Sequence, residues 1–429
     1  MLTINKELVR MNRAGKKIRL ALYGVGKMGR ALIAQMSTIP AMCPSVIVSR
    51  TEEKAVKALL NSGVKLMHIT KTDDPEKARA EVLADHFVVT TDPYLPMAIG
   101  EIDAIVDATG NPDFGAEITL AAIEAKKDII TLNVEMDSAV GPELLRRAEK
   151  AGVVYTLSAG DEPGAIMELV DFALGVGFDL LAVGKGKNNP LDRTATAEKL
   201  ADTARAQGLS PKMLTGFVDG TNTMIELTTV GNAIGFVPDV PGCHGPEADV
   251  EALSRIFTRK EDGGILNGYG IVDYAFGVAP GVFVLVTSKR DDVKSLMHYL
   301  GMGEGPVFAL LRPYHLTSLE TPSSIYRAVI DRDVTLAPSA GQVCDTVAVA
   351  KRDLAPGEIV EGIGGEHLYG MILSHMTTLE EHYIPMALVE GATVLKPVRK
   401  GEYIRRGDLA LPDNTIVRLR KEQDEKEEL

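Results

Sequence analysis

Gly24-Val25-Gly26-Lys27-Met28-Gly29 lies between an apolar run at residues 18–23 and a stretch, residues 30–36, whose apolar positions recur at helical spacing. A strand that turns on glycines into a helix is the entry to a nucleotide-binding βαβ unit. The first glycine permits the tight turn, the second lets backbone approach a pyrophosphate, and the third lets helix pack closely on strand. The N–H groups of the first helical turn then face the anion. Gly24, Gly26 and Gly29, with Lys27 and Met28 between them, are therefore candidate cofactor-binding residues.

The next strand, residues 44–49, carries this reading further. An acid about 20 residues after the glycines takes the ribose hydroxyls of NAD. Here the strand ends in Ser49-Arg50-Thr51, with Glu52 and Glu53 only beyond it. A carboxylate repels a 2′-phosphate, whereas a hydroxyl and a guanidinium bind one. Ser49 and Arg50 thus point to NADPH; the plainer alternative is an arginine solvated at the start of a helix.

At 429 residues the chain is long enough for two or three domains, and 45% apolar with 24% charged residues is ordinary for a globular protein. No apolar run reaches the ~18 residues of a membrane span. Residues 1–17 alternate charged and apolar positions, which suggests a short helix packed on the first domain rather than a signal peptide. A net charge of −13 argues against nucleic-acid binding. Cys43, Cys243 and Cys344 are far apart and odd in number, as expected of packing residues in a reducing cytoplasm.

Along the chain, strands alternate with amphipathic helices to about residue 158, the pattern of a doubly wound parallel sheet, or Rossmann domain, in an α/β protein. Strands are expected at 102–108, 129–133 and 153–157, helices after Asn111-Pro112 and over 137–151, and a further helix within 65–90. Residues 159–342 then form an α+β substrate, or catalytic, domain with a clear strand at 282–287. Residues 343–429 form a small β-rich domain, in which 347–354 and 394–400 each lead into a glycine turn and a short β segment. The tail, 418–429, is almost all charge and is expected to be a frayed helix or disordered.

Ligands in open parallel sheets bind at the carboxyl ends of the strands. Thr109 and Gly110 follow one such end, and Asn133 and Glu135 another, so all four are candidates for the nicotinamide side of the cleft; ordinary turn chemistry explains Gly110 equally well. Gly184-Lys185-Gly186-Lys187-Asn188-Asn189-Pro190-Leu191-Asp192-Arg193 is strongly cationic and bounded by Gly and Pro. It reads as a shaped loop that receives an anion or polyol, with a lysine to protonate a developing alkoxide; an exposed basic loop is the alternative. Asp219 and Glu226 suit acid–base work or a divalent cation such as Mg or Mn. His244 lies in a Gly/Pro-rich setting, and Arg312 and His315 add a cation and an imidazole. His367, His375 and His382 lack ligand spacing and are expected to be structural.

With these segments read, the chain resembles the homoserine-dehydrogenase-like oxidoreductases that carry a C-terminal SAF domain, over nearly its whole length. The segments Gly184-Lys185-Gly186-Lys187-Asn188-Asn189-Pro190, Cys243-His244-Gly245-Pro246-Glu247 and Arg312-Pro313-Tyr314-His315-Leu316 resemble the branch that includes the type II, or DXR-like, 1-deoxy-D-xylulose 5-phosphate reductoisomerases. Residues 347–360 and 392–409 resemble the two halves of a SAF, β-clip-type domain. The chain departs from homoserine dehydrogenases at Leu132-Asn133-Val134-Glu135, where they carry a catalytic lysine, and it lacks their Glu-Ala-Asp-Pro motif.

The resemblance implies an NADPH-dependent reductoisomerase of isoprenoid biosynthesis, acting on a phosphorylated hydroxyketone and converting 1-deoxy-D-xylulose 5-phosphate to 2-C-methyl-D-erythritol 4-phosphate. Lys185, Lys187, Arg193 and Arg312 would bind the anion and carbonyl oxygen, with Asn188 and His315 beside the substrate. Asp219, Glu226 and His244 would be acid–base or metal-contacting groups. It also implies a cytoplasmic homodimer, or higher homo-oligomer, joined through the substrate domain. Two alternatives stand beside it: a dehydrogenase of the same scaffold acting on an amino-acid or polyol substrate without rearrangement, and a cofactor-sensing or carbohydrate-binding protein.

Overall fold

The computed structural model describes residues 2–427, which fold into two compact units. The first comprises Met1–Met136, Glu143–Gly164 and Leu316–Ala337. Its strands are β1 (Ile18–Tyr23), β2 (Met42–Val48), β3 (Ile69–Lys71), β4 (Phe87–Thr90), β5 (Ala104–Asp107), β6 (Asp128–Thr131) and β7 (Tyr155–Leu157). They form one parallel sheet in the order β3-β4-β2-β1-β5-β6-β7. This is the doubly wound α/β architecture expected from the sequence. The strand order reverses at β1, which sets a ligand-binding crevice at the carboxyl ends of β1 and β5.

Strands buried on both faces read as continuous apolar runs, and β2 is buried along its whole length. Leu20, Leu22, Ile47 and Val106 from the sheet meet Leu32, Ile33 and Met36 of the helix Lys27–Met36. The N-terminal helix Leu2–Arg13 lays Ile4, Leu8 and Met11 on the same core, as its alternating pattern suggested. Residues 65–90 hold the expected helix, Pro75–Leu83, and also the strands β3 and β4. The edge strand β3 has only three residues and no buried position, too short for a period to show.

The sequence reading draws its boundaries at 158/159 and 342/343, but Leu316–Ala337 returns to the first unit. The Leu157 N–H donates to the Leu336 carbonyl at 2.8 Å, the Thr156 hydroxyl accepts the Thr335 and Leu336 N–H groups, and Arg332 pairs with Asp128. Partners so distant in the chain leave no local periodicity.

The second unit comprises Asp137–Pro142, Ala165–His315 and Pro338–Leu429. Strands β8 (Asp179–Lys187), β9 (Ile271–Phe276), β10 (Val282–Thr287) and β11 (Phe308–Arg312) form a sheet in the order β11-β10-β8-β9, with β8 and β9 parallel. The segment Gly184–Lys187, expected as a loop, is therefore strand. Alternation puts Lys185 and Lys187 on one face and Gly184 and Gly186 on the other. A Cβ on Gly184 would come within 2.5 Å of both the Asp273 carbonyl oxygen and the Phe283 ring, so only glycine fits this close approach.

The C-terminal residues belong to this unit rather than standing as a separate domain. Strands β12 (Cys344–Ala350) and β13 (Leu368–Ser374) form an antiparallel ribbon against the buried helix Thr221–Ile234. The Thr228 and Thr346 hydroxyls lie 2.8 Å apart, and the Gly370 N–H donates to the Thr221 hydroxyl. The short pair β14 (Thr393–Val394) and β15 (Leu409–Ala410) completes the region. Among the described residues no helix is long and apolar enough to cross a membrane.

The charged tail is neither frayed nor disordered: Thr415–Glu427 is a helix with Ile416, Leu419 and Arg420 buried; residues 428 and 429 lie outside the described part. Arg420 donates to Asp345 and to Asp424, each at 2.6 Å, and His375 Nδ1 lies 2.6 Å from the other oxygen of Asp345. Burial alone would raise Asp345, but Arg420 and His375 hold its carboxyl down at about 2. Arg420→Met should destabilise the protein by about 3–5 kcal/mol in urea unfolding, because it strands a buried carboxylate. The folded pKa lies below the unfolded one, so Asp345 contributes its stability above the unfolded value and loses it as pH falls toward 2. The deficit of the variant should therefore be full near neutrality and shrink on acidification.

Candidate active site

In the first unit the crevice is built by backbone. Gly24 has φ +92°, and a Cβ there would lie 2.7 Å from the Ala108 carbonyl oxygen, so β1 and β5 meet only through glycine. A Cβ on Gly29 would collide with the Gly24 carbonyl, so helix Lys27–Met36 also sits on its turn by way of glycine. Gly26 differs: a Cβ there would meet nothing within 4 Å. It is the N-cap of that helix with no side-chain cap, and the first turn holds no acid. Open space before uncapped N–H groups suits the pyrophosphate of a dinucleotide.

Around this turn Lys27 is exposed and Met28 half-buried, and the Ser318 hydroxyl lies 3.7 Å from the Met28 sulfur. Ser318 follows Thr317, a β-branched residue held at φ +47° with its N–H donated to the Gly160 carbonyl. Backbone strain of this kind concentrates at functional sites. No sequence signal singled out Thr317 or Ser318, because their partners Gly160 and Met28 lie far away in the chain.

At the end of β2 the Ser49 hydroxyl is occupied with Thr51 backbone, whereas Arg50 is exposed and makes no ion pair among the described residues. Glu52 and Glu53 pair with Lys71, at 3.0 and 3.5 Å. Beyond β5, Thr109 donates its N–H and hydroxyl to Asp107, and Gly110 is exposed at φ +64°. Asn133 departs from expectation. It is fully buried, its amide donates to Asp107 at 3.1 Å and to the Asn111 carbonyl, and its oxygen caps the helix Val134–Ala151. It braces the crevice from inside instead of facing it. Glu135, in the first turn of that helix, is pushed up to about 7 by burial, with the Asp107 charge adding to it.

In the second unit the structure gathers Lys185, Lys187, Asp219 and Glu226. Lys185 and Lys187 are each 5% exposed, and Lys185 forms an ion pair with Glu226 from helix Thr221–Ile234. Lys187 donates to the Phe217 carbonyl at 2.7 Å, at the C-terminal end of helix Pro211–Val218, where the backbone dipole favours a cation. Burial, aided by Lys185, lowers Lys187 to about 8, while Glu226 and Asp219 oppose the shift. Asp219 caps the same helix and pairs at 2.7 Å with Lys351, a residue the sequence reading missed. Both carboxylates thus meet ammonium groups, a donor set that does not resemble a Mg or Mn site.

The other candidates lie elsewhere in the second unit. His244 is clamped, with Nδ1 2.9 Å from Asp273 and Nε2 3.3 Å from Asp239; the hydrogen bond to Asp273 raises its pKa, and Asp239 adds to this. In its loop Cys243 is held in the left-handed region at φ +65°, between Gly242 and Gly245, which adopt positive φ without strain. Arg193 lies over the Tyr369 ring, 5.5 Å from its centroid, and 3.7 Å from the Met371 sulfur. Asn188 is exposed just beyond β8. Register places Lys185, Val282 and Arg312 in one row on one face, so Arg312 is two strands, about 10 Å, from Lys185. There it donates to Glu168 at 3.0 Å and stacks on Tyr314. His315 is half-buried after β11.

Residues 160–321 match the family model described as "Oxidoreductase DRL, catalytic domain". No curated protein matches the chain. Among solved structures, a probable dehydrogenase from Thermotoga maritima is similar at 12% identity over 76% of this chain and 92% of its own, with TM-score 0.43. A scyllo-inositol dehydrogenase from Lactobacillus casei, with NAD(H) and scyllo-inositol, is similar at 12% identity over 76% and 93%, with TM-score 0.43. A myo-inositol dehydrogenase from Corynebacterium glutamicum is similar at 11% identity over 74% and 89%, with TM-score 0.42.

Glu135 provides a check on the crevice. Its folded pKa, about 7, lies above the ordinary 4.5, so its contribution to stability is complete below 4.5 and is lost as pH rises through 7. Glu135→Gln should flatten the fall in thermal stability across that window, as followed by melting temperature against pH.

Proposed function

We propose that this protein is an NADP(H)-dependent oxidoreductase that interconverts the alcohol and carbonyl of a small polyhydroxylated substrate, without rearrangement of its carbon skeleton. The bound dinucleotide supplies or takes up the hydride. The chain's own residues bind the substrate, orient it and handle the proton. The observation that carries this reading is the buried pair on β8. Lys185 is paired with Glu226, whereas Lys187, lowered to about 8 and bonded to a carbonyl, is suited to exchange a proton with a substrate oxygen near neutral pH. The family match over 160–321, which includes both lysines, supports an oxidoreductase.

The preference for a 2′-phosphorylated cofactor rests on the end of β2. Arg50 is exposed there and makes no ion pair among the described residues, and the two acids that follow are drawn toward Lys71. A reductoisomerase acting on a phosphorylated hydroxyketone is the second reading. In its favour, Lys185 and Lys187 stand about 6–7 Å apart on one face and suit neighbouring substrate oxygens. Against it, two of the four cations expected to take the anion are engaged elsewhere, Arg312 with Glu168 and Tyr314, and Arg193 with Tyr369.

Turnover of inositols and other polyols with NADP, set beside 1-deoxy-D-xylulose 5-phosphate with NADPH, separates the two. A branched product from the latter would reject the first reading. Arg50→Asp should shift cofactor preference from NADPH toward NADH by tenfold or more, measured as the ratio of kcat/KM values; an unchanged ratio removes the assignment of Arg50. For a lysine that donates its proton during reduction, the rate should fall as pH rises past about 8. Lys187→Met should depress turnover about 100-fold or more and abolish that limb, with cofactor affinity retained.

A further inference from the structure

We infer that Lys351, carried just past β12, is a positioning residue that ties the C-terminal segment into the lysine–carboxylate cluster and fixes both Asp219 and the chain after β8. Resting on the role proposed for Lys187, this inference assigns the C-terminal segment a part in the chemistry rather than in assembly alone. The geometry is specific. Lys351 reaches three separate segments: its ammonium donates to the Ala195 carbonyl at 3.0 Å and to the Gly365 carbonyl at 2.7 Å, and it forms an ion pair with the Asp219 carboxylate at 2.7 Å. Its side chain is 3% exposed and that of Asp219 is fully buried. A lysine enclosed among three such segments is placed to hold them together.

What it holds bears on the site. Ala195 closes the segment that begins with Asn188 and carries Arg193, and Arg193 lies over Tyr369 on β13, the partner strand of β12. Asp219 receives the Thr221 N–H at 2.9 Å and donates its own N–H to the Thr215 carbonyl, so it pins the end of the helix whose Phe217 carbonyl accepts Lys187. Three charged groups act on Lys187: Lys185 beside it on β8, Glu226 from helix Thr221–Ile234 and Asp219 after helix Pro211–Val218, and Lys351 after β12 is the ion-pair partner of the last. Removing the Lys351 charge lets the buried Asp219 take up a proton, which withdraws a negative charge from near Lys187 and makes its ammonium easier to deprotonate.

The test is a pH titration of the full-length protein with isotope-labelled lysine side chains, followed by NMR, the Lys187 signal being identified by its loss in Lys187→Met. Lys351→Met leaves a buried carboxylate without its partner and is at risk of failing to fold, so the principal variant is the double substitution Lys351→Met with Asp219→Asn, which removes both charges. Its Lys187 midpoint should fall by on the order of one pH unit, while Lys351→Arg keeps the wild-type midpoint. An unchanged midpoint in the double variant overturns the inference. Whether Lys187 takes part in turnover is read separately from the activity of Lys187→Met, so failure of that reading and failure of this one are distinct results.

Discussion

A lysine or carboxylate taken out of water must find its partners inside the protein, and this requirement organises the second unit. Charge burial without pairing costs several kcal/mol per ion, so Lys185, Asp219, Glu226, Asp345, Lys351 and Arg420, all buried, constrain where distant segments go. Lys185 meets Glu226, Asp219 meets Lys351, and Asp345 meets Arg420. Two of these pairs join the last quarter of the chain, or join it to residues before 315. The C-terminal ribbon and helix are thereby held as part of one body.

The first unit is organised by a different constraint, the close approach of backbone to backbone. Gly24 against Ala108 and Gly29 against Gly24 leave no room for a side chain, while Gly26 faces open space. The contrast among three glycines of one turn separates two that are needed for packing from one that leaves space open. Asn133 and Asp107 stiffen the same crevice from within, which explains why an amide and an acid at strand ends are buried rather than displayed.

Burial also creates the chemistry. An exposed lysine is almost fully protonated at neutral pH and gives up its proton reluctantly; one enclosed beside a second lysine releases it more readily. Lys187 is in that condition because β8 directs two lysines to one buried face. His244, held between Asp239 and Asp273 in a strained loop, is shifted the opposite way. Neighbouring basic side chains thus acquire different proton affinities from their surroundings.

The sequence by itself determined the glycine turn, the doubly wound sheet around it, the helix capped by Asn111 and strand β10, because each depends on periods and turn chemistry within some ten residues. It also singled out Lys185 and Lys187, from a cationic run bounded by Gly and Pro, and Asp219 and Glu226, from two carboxylates near a turn. Only the tertiary structure decided that the first two stand on a strand rather than a loop, that Asn133 faces inward, that residues 316–337 return to the first sheet, and that a charged tail docks through Arg420. Lys351 belongs to this second group. In each case the deciding partner lies far away in the chain, and a buried charge or a strand edge bears no local mark of the group that will satisfy it.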